Sequence, residues 1–398
     1  MRGRIGEHAV RGTRAARGIG EPANSGGWWR SPSSATLALL VAVGIIAPAC
    51  GEGPPRPPCG SGGGPIATIC GFENPEDIEY VANADLLVAS NMRFDGRDQP
   101  DAIRGGYLSG LALATGTTHR MWPDVTDESA PQPALGDPVC LNPPSSGVLY
   151  PHGITSVTRD GRPLLYAIGH QGEAGGREAV EIFEIVGRGE TARLKWRACV
   201  PMRPHVMGND IAIAPDGEIV VSNYQPSVSL WHVIKANVLR MSTGDIQAWS
   251  RDRGWRTIPG TAASLPNGVA ISADGLFVYY SELGTGRAYR IARDGTGERL
   301  SVDIGGNPDD FAWSGRGTLL LATHTGGIGL LACAFGRSPC RTSWELYEID
   351  PTSMAAQRLL AGDGGVLGAM STPAVIGPML YLASIYDDRI GVLPLPAR

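Results

Sequence analysis

The sequence predicts an all-β fold, a six-bladed β-propeller, and three observations carry that prediction. Gly (55) and Pro (31) are abundant while only 18% of the 398 residues are charged, a balance that suits many short strands joined by tight turns. No segment sustains a helical period; one pattern recurs instead, a polar or acidic residue followed by a short apolar strand, a turn and a second apolar strand. Six copies of it begin at Glu76, His152, Asn209, Asn267, Asp309 and Ser371, at intervals of 76, 57, 58, 42 and 62 residues. Intervals near the roughly 40 to 50 residues of one blade, lengthened by insertions, point to radial repetition.

Taken in order, residues 1–50 read as an export signal. After an Arg-containing stretch ending at Arg30, the apolar run Ala35 to Ala47 is too short to span a bilayer comfortably and suits a signal-peptide core. It ends in Ala47-Pro48-Ala49-Cys50, where a small residue before Cys resembles the bacterial lipoprotein cleavage site. Lipidation of Cys50, with membrane attachment through that lipid, is one expectation, and ordinary cleavage near Ala49 is the alternative. The protein is expected in the periplasm or at the cell surface as a lipoprotein, or secreted. In such an oxidising compartment the six cysteines after Cys50 are disulfide candidates. Cys333 and Cys340, flanking a short Gly-containing loop, are the best local pair; the other pairings are not readable from sequence.

Residues 51–65 are Pro/Gly-rich without apolar periodicity and read as a flexible tether. The propeller domain is expected over 66–398. Its hairpins include NDIAIAPDGEIVVSN from Asn209 and NGVAISADGLFVYYSE from Asn267, with Asp-Gly at the turn. Further strands at 107–113, 180–186, 238–249, 287–293 and 344–349 would supply the outer parts of the blades. The long Pro-rich loop 123–150 is expected over one face of the disc.

In a propeller the inner strand of each blade runs along the central channel, so residues opening successive repeats form a ring. Four of the six ring positions, Glu76, Asn209, Asn267 and Asp309, offer a carboxylate or amide oxygen. Carboxylates and amide carbonyls are hard ligands that Ca2+ accepts in loose geometry, whereas Mg2+ demands tighter octahedral order and zinc prefers imidazole or thiolate. Carboxylates crowded in an apolar channel would otherwise repel one another. Asp77, Asp210 and Asp310 directly follow ring residues. Adjacent strand residues point to opposite sides or different depths, so a second, more buried ion using Asp77 and Asp210 is expected below the first.

These residues resemble the paraoxonase family over about 74–395, through PEDIE at Glu76-Asp77, PHGI at His152, GNDIAIAPDG at Asn209-Asp210 and PNGVAISADGLFVYYSEL at Asn267. The resemblance implies two calcium ions in the tunnel of a six-bladed propeller. A catalytic ion would take Glu76, Asn209, Asn267, Asp309 and Asp310; a structural ion would take Asp77, Asp210 and the backbone carbonyl of Ile154. The family's paired catalytic histidines correspond to His152 and His170. The chain departs from the pattern in three places: Asp309-Asp310 stands for the family's Asp-Asn, Tyr224-Gln225 for its Asp-His, and no Cys near the C-terminus allows the ring-closing disulfide of animal members.

The implied activity is calcium-dependent hydrolysis of a small-molecule lactone or aryl ester, with His152 activating water and His170 orienting it or receiving the proton. Sugar-lactone hydrolysis and a non-catalytic calcium-binding interaction module are the alternatives. Two classes are excluded. The first fifty residues hold six Arg and two Glu of 34 basic and 39 acidic side chains, so the remainder is near −9 and lacks the basic footprint of nucleic-acid binding. No G-x-S-x-G elbow occurs, and Ser371 and Thr372 have no base at recognisable spacing, which argues against a serine hydrolase. His324 is ambiguous between a pocket wall and a capped strand end, and His119, His205 and His232 suggest no role.

Overall fold

The computed structural model describes residues 57–60, 64–94, 103–123, 131–144, 149–172, 175–224, 235–236, 239–327, 329–330, 333 and 340–397. The chain divides into Met1–Pro55 and Arg56–Arg398, and the description concerns the second unit. The export signal, Cys50 and most of the tether lie outside the described residues.

Twenty-four strands, numbered in chain order, form six four-stranded antiparallel sheets. The inner strands are β2 (Pro75–Val81), β6 (Pro151–Arg159), β10 (Gly208–Ile213), β14 (Pro266–Ile271), β18 (Asn307–Trp313) and β22 (Met370–Ile376). Each packs against the next and β22 returns to β2, so the sheets close into a six-bladed propeller. Every interface between neighbouring blades holds its own apolar cluster. Leu86, Leu108, Phe183 and Trp196 fill the one between the first two blades, and Leu320, Trp344, Met370 and Leu382 the one between the last two. Because each blade is sandwiched in this way, both faces of its middle strands are apolar. This is why strands such as β19 (Leu319–His324), LLLATH, are buried throughout.

The third strands of the first, second, fourth and fifth blades lie close to where the sequence places them, for instance β20 at Trp344–Ile349, whereas that of the third blade, expected over 238–249, begins only at Asp245 as β12 (Asp245–Ser250). The fourth strands escape sequence reading. β13 (Gly254–Thr257, GWRT) and β17 (Leu300–Asp303, LSVD) have four residues each and lie half-exposed at the rim, with no apolar pattern to mark them. The last blade is completed from the other end of the chain. β1 (Ala67–Cys70) pairs with β24 (Arg389–Pro394) in the register Ala67↔Val392 to Cys70↔Arg389. This closure does without the C-terminal cysteine of animal paraoxonases. A Cys59–Cys70 disulfide and a hydrogen bond from Arg389 Nη1 to the Pro57 carbonyl (3.0 Å) hold the closing strand instead. Cys59→Ser is expected to cost about 3 kcal/mol by the chain-entropy estimate for so short a loop, read as a lower midpoint in denaturant.

Cys333–Cys340 forms as expected, and Cys140–Cys199 is the third pair. That last bond corrects the expected course of the Pro-rich loop. Its described part runs along β9 (Arg193–Pro201), the outer edge of the second blade, where the Gln132 N–H donates to Arg197 O (2.6 Å) and the Asp137 N–H to Cys199 O (2.9 Å). A rim strand has unpaired backbone groups to offer, whereas the disc face does not.

Candidate active site and metal centre

All six inner strands carry a β-bulge at the same place. In β2 the register steps from Pro75↔Asn91 to Asp77↔Ser90, and in β18 from Pro308↔Thr323 to Phe311↔Leu321, each with one extra residue on the inner strand. β6, β10, β14 and β22 do the same at Pro151/Ile154, Gly208/Ile211, Pro266/Val269 and Met370/Pro373. A bulge interrupts the alternation of side chains and re-aims them. It is why two consecutive residues, Asp309 and Asp310, reach one point: their carboxylates and that of Glu76 offer oxygen atoms all within 4.8 Å of one another. Of the two expectations for adjacent residues, opposite sides or different depths, the first fails at Asp309-Asp310, and the doublets Glu76-Asp77, Asn209-Asp210 and Asp309-Asp310 are all buried. Serines on the second strands hold three of the bulges, Ser281 Oγ accepting from the Gly268 N–H (2.8 Å) in β14. The Asp77 N–H donates to Ser90 Oγ (3.2 Å) and the Asp210 N–H to Ser222 Oγ (2.9 Å).

Among the described residues, four buried oxygens at the head of the channel have no hydrogen-bond partner: Glu76 Oε2, Asn209 Oδ1, Asn267 Oδ1 and Asp310 Oδ1. They belong to four of the five residues predicted as ligands of one ion. The fifth, Asp309, accepts through Oδ2 from His324 Nε2 (2.7 Å). Burial pushes the carboxyls of Glu76, Asp210 and Asp310 well above their ordinary range, and their carboxylate neighbours push them further. A buried all-oxygen set of three carboxylates and two amides, with four of its oxygens unpartnered, fits calcium: a dication removes both the repulsion and the unmet hydrogen-bonding capacity.

The deeper residues are built differently. Asp77 Oδ1 accepts from the Ile78 N–H (2.7 Å) and Oδ2 from the Ile154 N–H (2.6 Å), while Asp210 Oδ1 accepts from the Ile211 N–H (2.6 Å) and Oδ2 from the Val269 N–H (2.6 Å). The two carboxylates therefore staple the first blade to the second and the third to the fourth. Burial raises Asp77 to about 6 despite these bonds. Unpartnered oxygens, the mark of the upper set, are not repeated at Asp77 or Asp210. Both line a central cavity of about 340 Å³ together with Ile154, Glu79, Ser156 and Thr372.

The histidines meet beside the ligand set. His152 Nδ1 lies 2.9 Å from His170 Nε2, and His170 Nδ1 lies 3.0 Å from Glu178 Oε2. On its other side His152 Nε2 accepts from Asn209 Nδ2 (3.2 Å) and stands 3.5 Å from Glu76 Oε1. Burial, then the neighbouring His170, hold His152 well below its ordinary range, so the ring is neutral at pH 7. Sequence reasoning missed Glu178, which sits across a hairpin from His170; only the strand register brings the two together. His324, ambiguous in the sequence, is a partner of Asp309. Thr372 Oγ1 donates to Asp310 Oδ2 (2.9 Å) and Ser371 Oγ to the Glu76 carbonyl, so neither hydroxyl is poised as a nucleophile. His119, on the outermost strand of the first blade, contacts the Ala192 carbonyl of the second, and His232 and Gln225 lie outside the described residues.

Glycines let the ring close at this level. A Cβ on Gly268 would lie 2.4 Å from the Asp309 carbonyl oxygen and 2.7 Å from Asp310 Cα, and one on Gly153 would lie 2.5 Å from the Asn209 carbonyl. Gly268→Ala is expected to push the fourth and fifth blades apart at the ligands, costing about 1–3 kcal/mol of stability and weakening metal affinity at the same time. Thermal melts with and without added calcium check this, since the loss should be larger with the metal present.

No family model matches the chain, and no curated protein matches it. Among solved structures it is similar to the gluconolactonase XC5397 from Xanthomonas campestris, at 16% identity and a TM-score of 0.50, with 83% of this chain and 89% of that one covered. It is also similar to a luciferin-regenerating enzyme, at 13% identity and a TM-score of 0.50, covering 83% and 96% of the two chains. The likeness is one of fold. It confirms the six-bladed propeller, and the narrower paraoxonase resemblance rests on the motifs quoted above.

Proposed function

We propose that the chain is a calcium-dependent hydrolase of lactones and aryl esters. The observation that carries the reading is the convergence of four unpartnered buried oxygens with the nitrogen of a neutral histidine at one point of the channel. Calcium held by Glu76, Asn209, Asn267, Asp309 and Asp310 would supply Lewis-acid polarisation of a carbonyl and stabilise the charge that develops on its oxygen. His152 Nε2, whose lone pair accepts from Asn209 Nδ2 in the structure, would take the proton of the attacking water in place of that donor. The new C–O bond forms as that proton leaves, and His152 returns it to the leaving oxygen when the ester bond breaks. Asp77 and Asp210 hold the blades, and a second ion at that level remains part of the proposal on the strength of the paraoxonase resemblance.

The gluconolactonase among the similar structures favours a second reading, a sugar lactone as substrate. A panel of aliphatic lactones, sugar lactones and aryl esters, assayed with and without chelator, separates the two. Hydrolysis insensitive to chelation would overturn both, and calcium binding without any hydrolysis would leave a calcium-holding interaction module. Metal analysis of the purified protein counts the ions. Export and lipidation at Cys50 belong to the same proposal. They are supported by three disulfides that use all six cysteines after Cys50, and mass spectrometry of the mature N-terminus tests them.

A further inference from the structure

The structure assigns to Glu178 the role of a positioning residue that sets the proton arrangement of the His152–His170 pair. This rests on the hydrolase reading for its purpose, though not for its geometry. The hydrogen bonds form one chain: Glu178 carboxylate, His170 Nδ1, His170 Nε2, His152 Nδ1, His152 Nε2 and Asn209 Nδ2. Only one proton placement satisfies it with both rings neutral. A carboxylate can only accept, so His170 Nδ1 carries its proton and Nε2 is left as an acceptor. His152 Nδ1 must then be the donor to that nitrogen, which leaves the Nε2 lone pair of His152 turned to the ligand set. Asn209 agrees from the other end, since its Nδ2 can only donate.

The arrangement is unusual in its origin. β7 (Arg162–Gly172) and β8 (Gly175–Val186) pair as Gly169↔Ala179 and then Gln171↔Gly176, so β8 carries one extra residue opposite His170. The bulge brings Glu178 within reach of His170 Nδ1 through both oxygens, at 3.0 and 3.2 Å, while its backbone carbonyl stays tied to the Met202 N–H (2.9 Å). His170 is buried and Glu178 is about a quarter exposed, so the chain runs from the channel out to solvent. When His152 Nε2 takes up a proton, the positive charge that forms is shared along two rings toward an anion. Glu178 thus acts through His170.

The test is imidazole 15N NMR on full-length protein labelled at histidine, with resonances assigned by His152→Gln and His170→Gln. In the wild type both rings should be protonated at Nδ1 and bare at Nε2. Glu178→Ala should return His170 to a mixed or Nε2-protonated form. Glu178→Gln, whose amide oxygen can still accept, should keep the tautomer but lose the charge. In activity the two variants should lower kcat about 10- to 100-fold with KM nearly unchanged. If Glu178→Ala is unstable, Glu178→Gln still discriminates through the kcat effect at intact tautomer. Unchanged 15N shifts in Glu178→Ala, or wild-type kcat in Glu178→Gln, would overturn the assignment. Absence of hydrolysis in the wild type would overturn the hydrolase reading alone, because the tautomers are read without substrate.

Discussion

Removal of the divalent metal with a chelator is expected to abolish hydrolysis and to lower the thermal midpoint by roughly 8 °C, the equivalent of about 4 kcal/mol for a ligand held at a thousand times its Kd. The cause is the crowd of buried carboxylates, Glu76, Asp77, Asp210, Asp309 and Asp310, that the cation would neutralise. The metal-free protein should also respond to pH in a definite direction. A carboxyl such as Asp77, whose folded value is raised from 3.8 to about 6, favours the folded state while protonated. Its contribution is present below about 4 and is lost as pH rises through 6, so the metal-free protein should melt at higher temperature at pH 5 than at pH 7.5. Asp310→Asn separates the two effects. It keeps an acceptor for Thr372 but removes one charge, so it should weaken calcium binding about 10- to 100-fold while raising the midpoint of the metal-free protein. Calorimetric titration and chelated melts of one variant would then move in opposite senses, an outcome that a purely structural acidic cluster would not produce.

Replacement of His152 by Gln is expected to lower kcat by about 10²- to 10⁴-fold, the usual range for loss of a positioned general base, and to leave calcium stoichiometry unchanged. Its Nε2 lies between Asn209 Nδ2 and Glu76 Oε1, beside the ligand set, and its Nδ1 is engaged by His170. The burial that keeps the ring neutral also makes the lone pair available at neutral pH. Steady-state kinetics on the best substrate of the panel, together with metal analysis, check both halves. A variant that lost its calcium as well would show that His152 supports the metal and not the proton transfer.

Much of the site was legible because a propeller turns sequence position into spatial position. Glu76, Asn209, Asn267 and Asp309 open successive repeats, and repetition around an axis necessarily gathers such residues into a ring. The blade number followed from the same repeats, and the Cys333–Cys340 bond from a short loop. What the pattern misled about was local. Alternation in a regular strand predicts that Asp310 faces away from Asp309, and it fails because each inner strand is bulged there. Rim strands such as β13 and β17 were invisible, being short and half-exposed, and the described part of the Pro-rich loop was misplaced because its partner is an open strand edge.

By itself, then, the sequence determined the fold class and the ring of oxygen-bearing residues, since both depend on what recurs along the chain, while the pairing of His152 with His170 came from the paraoxonase resemblance. The tertiary structure alone decided which oxygens are left without partners, that Asp77 and Asp210 spend theirs on backbone N–H groups of the next blade, and that Glu178 stands behind His170. Those depend on register, a one-residue matter of bulges and cross-strand neighbours that hydrophobic periodicity does not encode.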